Sequence, residues 1–204
     1  MSPRCERLKS GLKVVLAPCE AESVAVGLFV RSGSRNERKD QSGISHFIEH
    51  MLFKGTYRRS ALDITRAIEG RGGMFNAYTS EESTCFFAHI PDEYLTEAMD
   101  ILVDMFRNAK LDAREFAKEK AVILEEIKMY ADEPDSVAME NLQACLFPGH
   151  PLGRPVAGGE KSLGPMTPED LREWIARRYT PRNTVLVVAG KFDAAKALEM
   201  AERL

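Results

Sequence analysis

The sequence predicts an α+β fold, a two-layer sandwich in which one mostly antiparallel sheet is covered on one face by helices. Three observations carry this. Short runs rich in Val, Phe and Thr, bounded by Gly, Pro or Asn, read as strands. Longer stretches with apolar residues three and four apart read as amphipathic helices. The two kinds alternate without the uniform rhythm of a parallel βαβ fold. With 204 residues and 44% hydrophobic content, the chain can bury a sizeable core and reads as a single domain, 1–204.

Taken in order, Leu12 to Leu16 and Ser23 to Val30 are Val- and Leu-rich strands separated by Pro18 and a polar turn, which together suggest an opening hairpin. Residues 31–41 are charged and contain Gly33, so they read as a loop leading to Ser42, the expected N-cap of a helix that ends near Gly55. A second helix starts at Ser60, carries Leu62, Ile64, Ala67 and Ile68 on its apolar side, and stops at Gly70 and Gly72-Gly73. Then the period changes: Phe75 to Thr79 and Thr84 to Ile90 are aromatic and β-branched runs around a polar turn, a hairpin ended by Pro91.

A helix beginning at Pro91 or Asp92 carries Leu95, Ala98, Met99, Leu102, Val103 and Phe106, and a second long helical stretch runs from Leu111 to Tyr130. Pro134 breaks the chain before a helix from about Asp135 to Leu146, and the Gly- and Pro-rich residues 147–161 read as loop. Thr167 followed by Pro168 is a strong helix start, with Leu171, Trp174, Ile175 and Tyr179 beyond it. Thr184 to Ala189 reads as a buried strand. A final helix from near Asp193 reaches Leu204 with no cap, Gly or Pro, as expected of a chain whose next domain lies elsewhere.

Chemistry concentrates in Ser45-His46-Phe47-Ile48-Glu49-His50-Met51-Leu52-Phe53. On a helix, His46, Glu49 and His50 share one face, while Ile44, Phe47, Ile48, Met51 and Leu52 make the rest apolar and buried. Buried polar groups need partners, and two imidazoles in adjacent turns suit a divalent metal. A lone interior His is more often a hydrogen-bonded core residue; the order H-x-x-E-H is the inverted form of a zinc-peptidase helix and asks for a third ligand.

The long helix offers two. At about 100° per residue, Glu119 and Glu126 fall at nearly the same azimuth, beside Val122, Ile123 and Tyr130, while Glu125 falls with Lys118, Lys128 and Asp132 on a solvated side. An unpaired carboxylate on an apolar strip costs several kcal/mol. Either acid could therefore be the ligand, and salt bridges to buried Arg or Lys are the plainer alternative for both.

The chain's formal charge of -3, with both signs scattered, argues against a nucleic-acid surface. Cys5, Cys19, Cys85 and Cys145 lie far apart with no C-x-x-C pair, which suits reduced thiols better than a disulfide scaffold. No signal peptide and no run of eighteen apolar residues is visible, so no membrane association is expected and the cytoplasm is the expected compartment.

His46-Phe47-Ile48-Glu49-His50 followed about seventy-five residues later by Glu126, with Phe53-Lys54-Gly55-Thr56 after the helix, resembles the inverzincin metallopeptidases related to pitrilysin, insulin-degrading enzyme and the mitochondrial processing peptidase. Further blocks follow in family order: Gly73 to Ser80, Val122 to Ile127, His150-Pro151-Leu152, and Tyr179 to Gly190. The resemblance implies the catalytic N-terminal domain of a zinc endopeptidase with a processing-peptidase-like fold. It makes His46, His50 and Glu126 the ligands of a Zn2+ ion, Glu49 the general base and Glu119 an acid that orients a His ring. It also implies that Phe75, Asn76 and Ala77 accept a peptide substrate in extended form at a sheet edge; a purely structural strand with Tyr78 in the core is the plainer reading. A second homologous domain, absent from this chain, or a partner chain is expected to close a chamber around the peptide, and a homo-oligomer is compatible with this.

Two other readings compete. One is a non-catalytic subunit of the same fold, which typically loses motif residues that this sequence keeps. The other is a lyase similar to the ribosylhomocysteine enzyme, which shares H-x-x-E-H but expects a reactive Cys; Cys85 is the candidate, and the Glu126 block speaks against it.

Overall fold

Six strands, β1 (Arg4–Arg7), β2 (Lys13–Pro18), β3 (Ser23–Val30), β4 (Met74–Thr79), β5 (Thr84–Pro91) and β6 (Thr184–Gly190), form one sheet in the order β1-β2-β6-β3-β5-β4 in the computed structural model, which describes residues 2–203. Every pairing among them is antiparallel except β2 with β6. Val14, Leu16, Val24, Val26, Leu28, Phe86, Ala88, Leu186 and Val188 are buried on one face, whereas the alternate positions Lys13, Ala25 and His89 are exposed. That period of two marks a sheet with helices on one side only.

The helices are α1 (Ile44–Leu52), α2 (Ala61–Ile68), α3 (Leu95–Asn108), α4 (Ala113–Asp132), α5 (Pro134–Leu146), α6 (Glu160–Leu163), α7 (Pro168–Arg178) and α8 (Ala194–Arg203). α3 lies on β3 and β5, α1 on β4 and β5, α8 on β2, and α4 rests on α1 as a second tier. Reciprocal capping explains two starts: Ser60 with Asp63 opens α2, and Thr167 with Asp170 opens α7 ahead of Pro168.

Several expectations are corrected. β2 and β3 are consecutive but do not pair; β6 lies between them, with Val15 opposite Val187 on one side and Gly27 opposite Val187 on the other. Thr184-Val185-Leu186-Val187-Val188-Ala189 has no charged residue, which suits an interior strand bonded on both edges, and β2 instead takes β1 as its hairpin partner. Gly190, at φ +125, ends β6 where a Cβ would lie 2.3 Å from the Ser23 carbonyl oxygen. Leu111 stands outside α4 at φ 48, and Asp112 caps that helix by accepting from the Arg114 and Glu115 N–H groups. Leu62 is exposed, so α2 buries only Ile64 and Ile68. Part of the stretch read as loop forms α6. The uncapped end at Leu204 lies outside the described residues.

A buried acid ties the segment between α1 and α2 to α3. Asp104, on α3, accepts from Thr56 Oγ1 at 2.7 Å, from Arg59 Nη1 at 2.7 Å and from Asn108 Nδ2 at 2.9 Å. Burial alone would push its carboxyl up, but these hydrogen bonds outweigh burial and hold it below the usual range. Arg59 also bonds Asp100. Asp104→Ala is expected to destabilise the fold by about 2–3 kcal/mol, below the ~3–5 kcal/mol of a fully buried pair because Arg59 keeps Asp100 and reaches water. Chemical denaturation of the parent and variant measures it.

Candidate metal centre

The centre begins with how α1 is started. Its N-cap is Gly43, at φ 93, rather than Ser42, because a Cβ at residue 43 would lie 2.5 Å from the Ala157 carbonyl oxygen. Glycine brings no capping side chain, and Glu37 supplies the acceptors instead: Oε2 takes the Gly43 N–H at 2.8 Å and Oε1 the Ser45 N–H at 2.9 Å. Glu37 is only 4% exposed, and burial pushes its carboxyl up despite these bonds. Arg154 Nη2 donates to the Glu37 carbonyl at 2.6 Å, tying the 150–159 segment to the same helix end.

With α1 so fixed, Phe47, Ile48, Met51 and Leu52 are buried and His46, Glu49 and His50 occupy the remaining, half-buried face. The two imidazoles meet edge to face, ring centroids 4.7 Å apart. Glu126 arrives from α4, its Oε2 lying 3.8 Å from His46 Nε2 and 3.4 Å from His50 Nε2. These three groups each offer one ligand atom within 4.8 Å of the others. Bonds of about 2.0–2.1 Å to a tetrahedral zinc place donor atoms about 3.4 Å apart, so two neutral imidazoles and one carboxylate at these separations fit that ion. Burial, then the neighbouring His50, push the His46 pKa down to about 4. At neutral pH the His46–Glu126 approach is therefore no salt bridge but two lone-pair donors facing one point.

Glu119 stands outside that point. It is buried, with Oε2 3.2 Å from His50 Nδ1 and Oε1 2.7 Å from Lys54 Nζ. Donation of Nδ1–H to Glu119 leaves the His50 Nε2 lone pair aimed at Glu126 Oε2. Of the two acids, Glu119 has the ion pair, with Lys54, and Glu126 lies beside the Nε2 atoms of both imidazoles. The strip they share is less apolar than expected, since Val122 and Tyr130 are exposed. Tyr130 uses that position, its hydroxyl donating to Glu126 Oε1 at 3.1 Å.

Glu49 lies between the two His on α1. Thr79 Oγ1, at the end of β4, donates to its Oε2 at 2.5 Å. Burial, opposed by that bond, pushes the Glu49 carboxyl up. A cleft of about 320 Å³ opens beside these groups, lined by His46, Thr79, Tyr130, Met139, Gln143 and Val156.

β4 is the last strand of the sheet, and no strand pairs with its outer edge among the described residues. Phe75 and Ala77 are half-buried and Asn76 is exposed, with Asn76 Oδ1 accepting from the Ala77 N–H at 2.8 Å. Tyr78 is 45% exposed, which corrects the expectation of a core position. Cys85 is buried on β5, its thiol pushed up to about 11 by burial, the opposite of a reactive cysteine.

Sequence reading assigned no role in the site to Thr79, Tyr130, Lys54, Glu37 or Arg154. Two of them left a signal: Lys54 follows His50, and Tyr130 follows Glu126, by four residues, the spacing of neighbours on a helix. Thr79, Glu37 and Arg154 reach the site only through the tertiary fold.

Residues 13–160 match the family described as insulinase, peptidase family M16, and residues 165–204 match the peptidase M16 inactive domain. An uncharacterized zinc protease, YmxG, of Bacillus subtilis (strain 168) is 42% identical over 186 residues, 91% of this chain and 46% of its own length. A probable mitochondrial-processing peptidase subunit beta of Arabidopsis thaliana is 35% identical over 202 residues, 98% of this chain and 38% of its own. The chain thus spans less than half the length of these relatives. A protease from Helicobacter pylori superposes with a TM-score of 0.95 at 25% identity, over 99% of this chain and 49% of that one. A peptidase M16 inactive domain from Pseudomonas fluorescens, at 18% identity and a TM-score of 0.90, shares the fold, over 100% of this chain and 50% of that one.

Proposed function

The chain belongs to the insulinase family, peptidase family M16, and on that premise we propose that it is the catalytic domain of a zinc endopeptidase acting on unfolded peptides. His46, His50 and Glu126 hold the ion and Glu49 is the general base. The observation that carries the reading is the convergence of three ligand atoms from two helices, with a carboxylate on the same face of α1. Relatives named as zinc proteases support the metal. The stretch that resembles an inactive domain, 165–204, contains none of these residues.

Bound zinc supplies Lewis-acid polarisation of the scissile carbonyl and lowers the pKa of a bound water to about 7. Glu49 takes the proton of the attacking water at Oε1, since Oε2 is held by Thr79, and passes it to the leaving amine. Its raised pKa suits a group that must both accept and return a proton. Glu119 keeps the His50 ring turned toward the ion, and Tyr130 holds one oxygen of Glu126 so that the other ligates. The peptide lies along β4 at Phe75, Asn76 and Ala77, adding a strand by main-chain hydrogen bonds. Residues 1–204 form one such domain, and a homologous second half, on the same or a partner chain, closes the chamber; relatives about twice as long support this.

The test is metal removal. The full-length protein should carry one zinc per catalytic domain and hydrolyse an unfolded peptide; a chelator should abolish hydrolysis and added zinc restore it. Hydrolysis that survives complete metal removal overturns the proposal.

A further inference from the structure

Lys54 has been given no role so far. Its Nζ lies 2.7 Å from Glu119 Oε1, and the other oxygen of that carboxylate faces His50 Nδ1 at 3.2 Å. Each oxygen of a buried acid thus has one charged or ring-nitrogen partner, and the two partners sit one helical turn apart at the end of α1.

This contact differs from the ordinary ion pairs of the same helix. Glu115–Lys118 and Glu125–Lys128 are solvent-exposed pairs three residues apart, the kind that contributes little. In Lys54–Glu119 the side chains are 31% and 9% exposed, and the pair crosses from the end of α1 to α4. Its backbone is also held. The Lys54 N–H bonds the Met51 carbonyl, and Gly55 follows at φ 106, its carbonyl accepting from Lys110 N–H at 3.1 Å. Thr56 is then anchored on Asp104. The side chain therefore leaves a fixed turn, so holding the ammonium on Glu119 costs side-chain freedom but little backbone freedom.

From this geometry we infer that Lys54 is a positioning residue for the metal site: by pinning Glu119 Oε1 it aims Oε2 at His50 Nδ1, and so aims His50 Nε2 at the ion. The inference rests on the zinc reading above. Without the ammonium, Oε1 is left in a buried place with no cation, the carboxylate turns to find one, and the His50 ring loses the acceptor that sets its orientation.

The experiment measures zinc affinity of the metal-free full-length protein by competition with a chromophoric chelator, alongside its melting temperature without metal, for the parent, K54M, K54R and E126Q. K54M is expected to bind zinc about 10–100-fold more weakly, the usual effect of removing a group that orients a ligand, while the metal-free protein still melts cooperatively at a temperature lowered by the unpaired carboxylate. K54R, which keeps a cation, is expected to stay close to the parent. Parent-like zinc affinity in K54M overturns the inference, as does a metal-free K54M that no longer melts cooperatively, which would make the role structural. K54R as weak as K54M counts against the cation as the cause. If E126Q loses zinc and K54M does not, only the role of Lys54 fails; if E126Q binds zinc like the parent, Glu126 is not the third ligand; and if the parent itself binds no zinc, the zinc reading fails and this inference with it.

Discussion

Glu49→Gln is expected to keep one zinc per catalytic domain and to lose about 10²–10⁴-fold in kcat, the usual contribution of a positioned general base. The substitution is nearly isosteric. A glutamine oxygen can still accept from Thr79 Oγ1, so the side chain keeps its place on α1, but the amide cannot take a proton. Zinc content and peptide hydrolysis measured on the same preparation separate the two effects. A zinc-bearing variant that cleaves at the parent rate would remove Glu49 from the mechanism.

Glu126→Gln should behave in the opposite way, losing stoichiometric zinc and, as a consequence, hydrolysis. Of the three proposed donors only the carboxylate brings a negative charge, since an imidazole ligates through a lone pair alone. An amide oxygen in its place brings no charge to offset that of a dication. Elemental analysis of the dialysed variant reads the outcome directly, and full zinc occupancy would show that the third ligand lies elsewhere.

The contrast between those two acids also marks how far the sequence could be read. His46, Glu49 and His50 are legible because a helix face is a local property, fixed by spacing within five residues. Glu119 and Glu126 tie at that level, since seven residues return a helix to almost the same azimuth. What separates them is a rise of about 10 Å along α4, which sets one acid beside His50 Nδ1 and the other beside Nε2 of both rings. That depends on where α1 crosses α4, a tertiary fact. Strand positions were similarly visible, as was the pairing of β4 with β5, but the partners of β2 and β3 were not. Neighbouring strands pair often enough to make an opening hairpin the natural expectation, yet β2 and β3 are held apart by a segment from much later in the chain. β1 went unseen because Arg4-Cys5-Glu6-Arg7 is short and charged, as edge strands tend to be. Tyr78 looked like a core residue, but with Met74 and Asn76 it lies on the face of β4 turned away from the core, while Phe75 and Ala77 pack against it.

The late arrival of β6 has a consequence for how the molecule is made. Lys13 must wait for Val185, and Val30 for Thr184, before the ladder between them can close. Contacts so distant along the polypeptide slow the search for the native arrangement. During synthesis a two-edged gap of Val and Leu side chains stays open until nearly the whole stretch has left the ribosome, and such a gap is where nascent chains associate wrongly. Slow refolding with a concentration-dependent yield is the expected result, read by refolding the denatured protein over a dilution series.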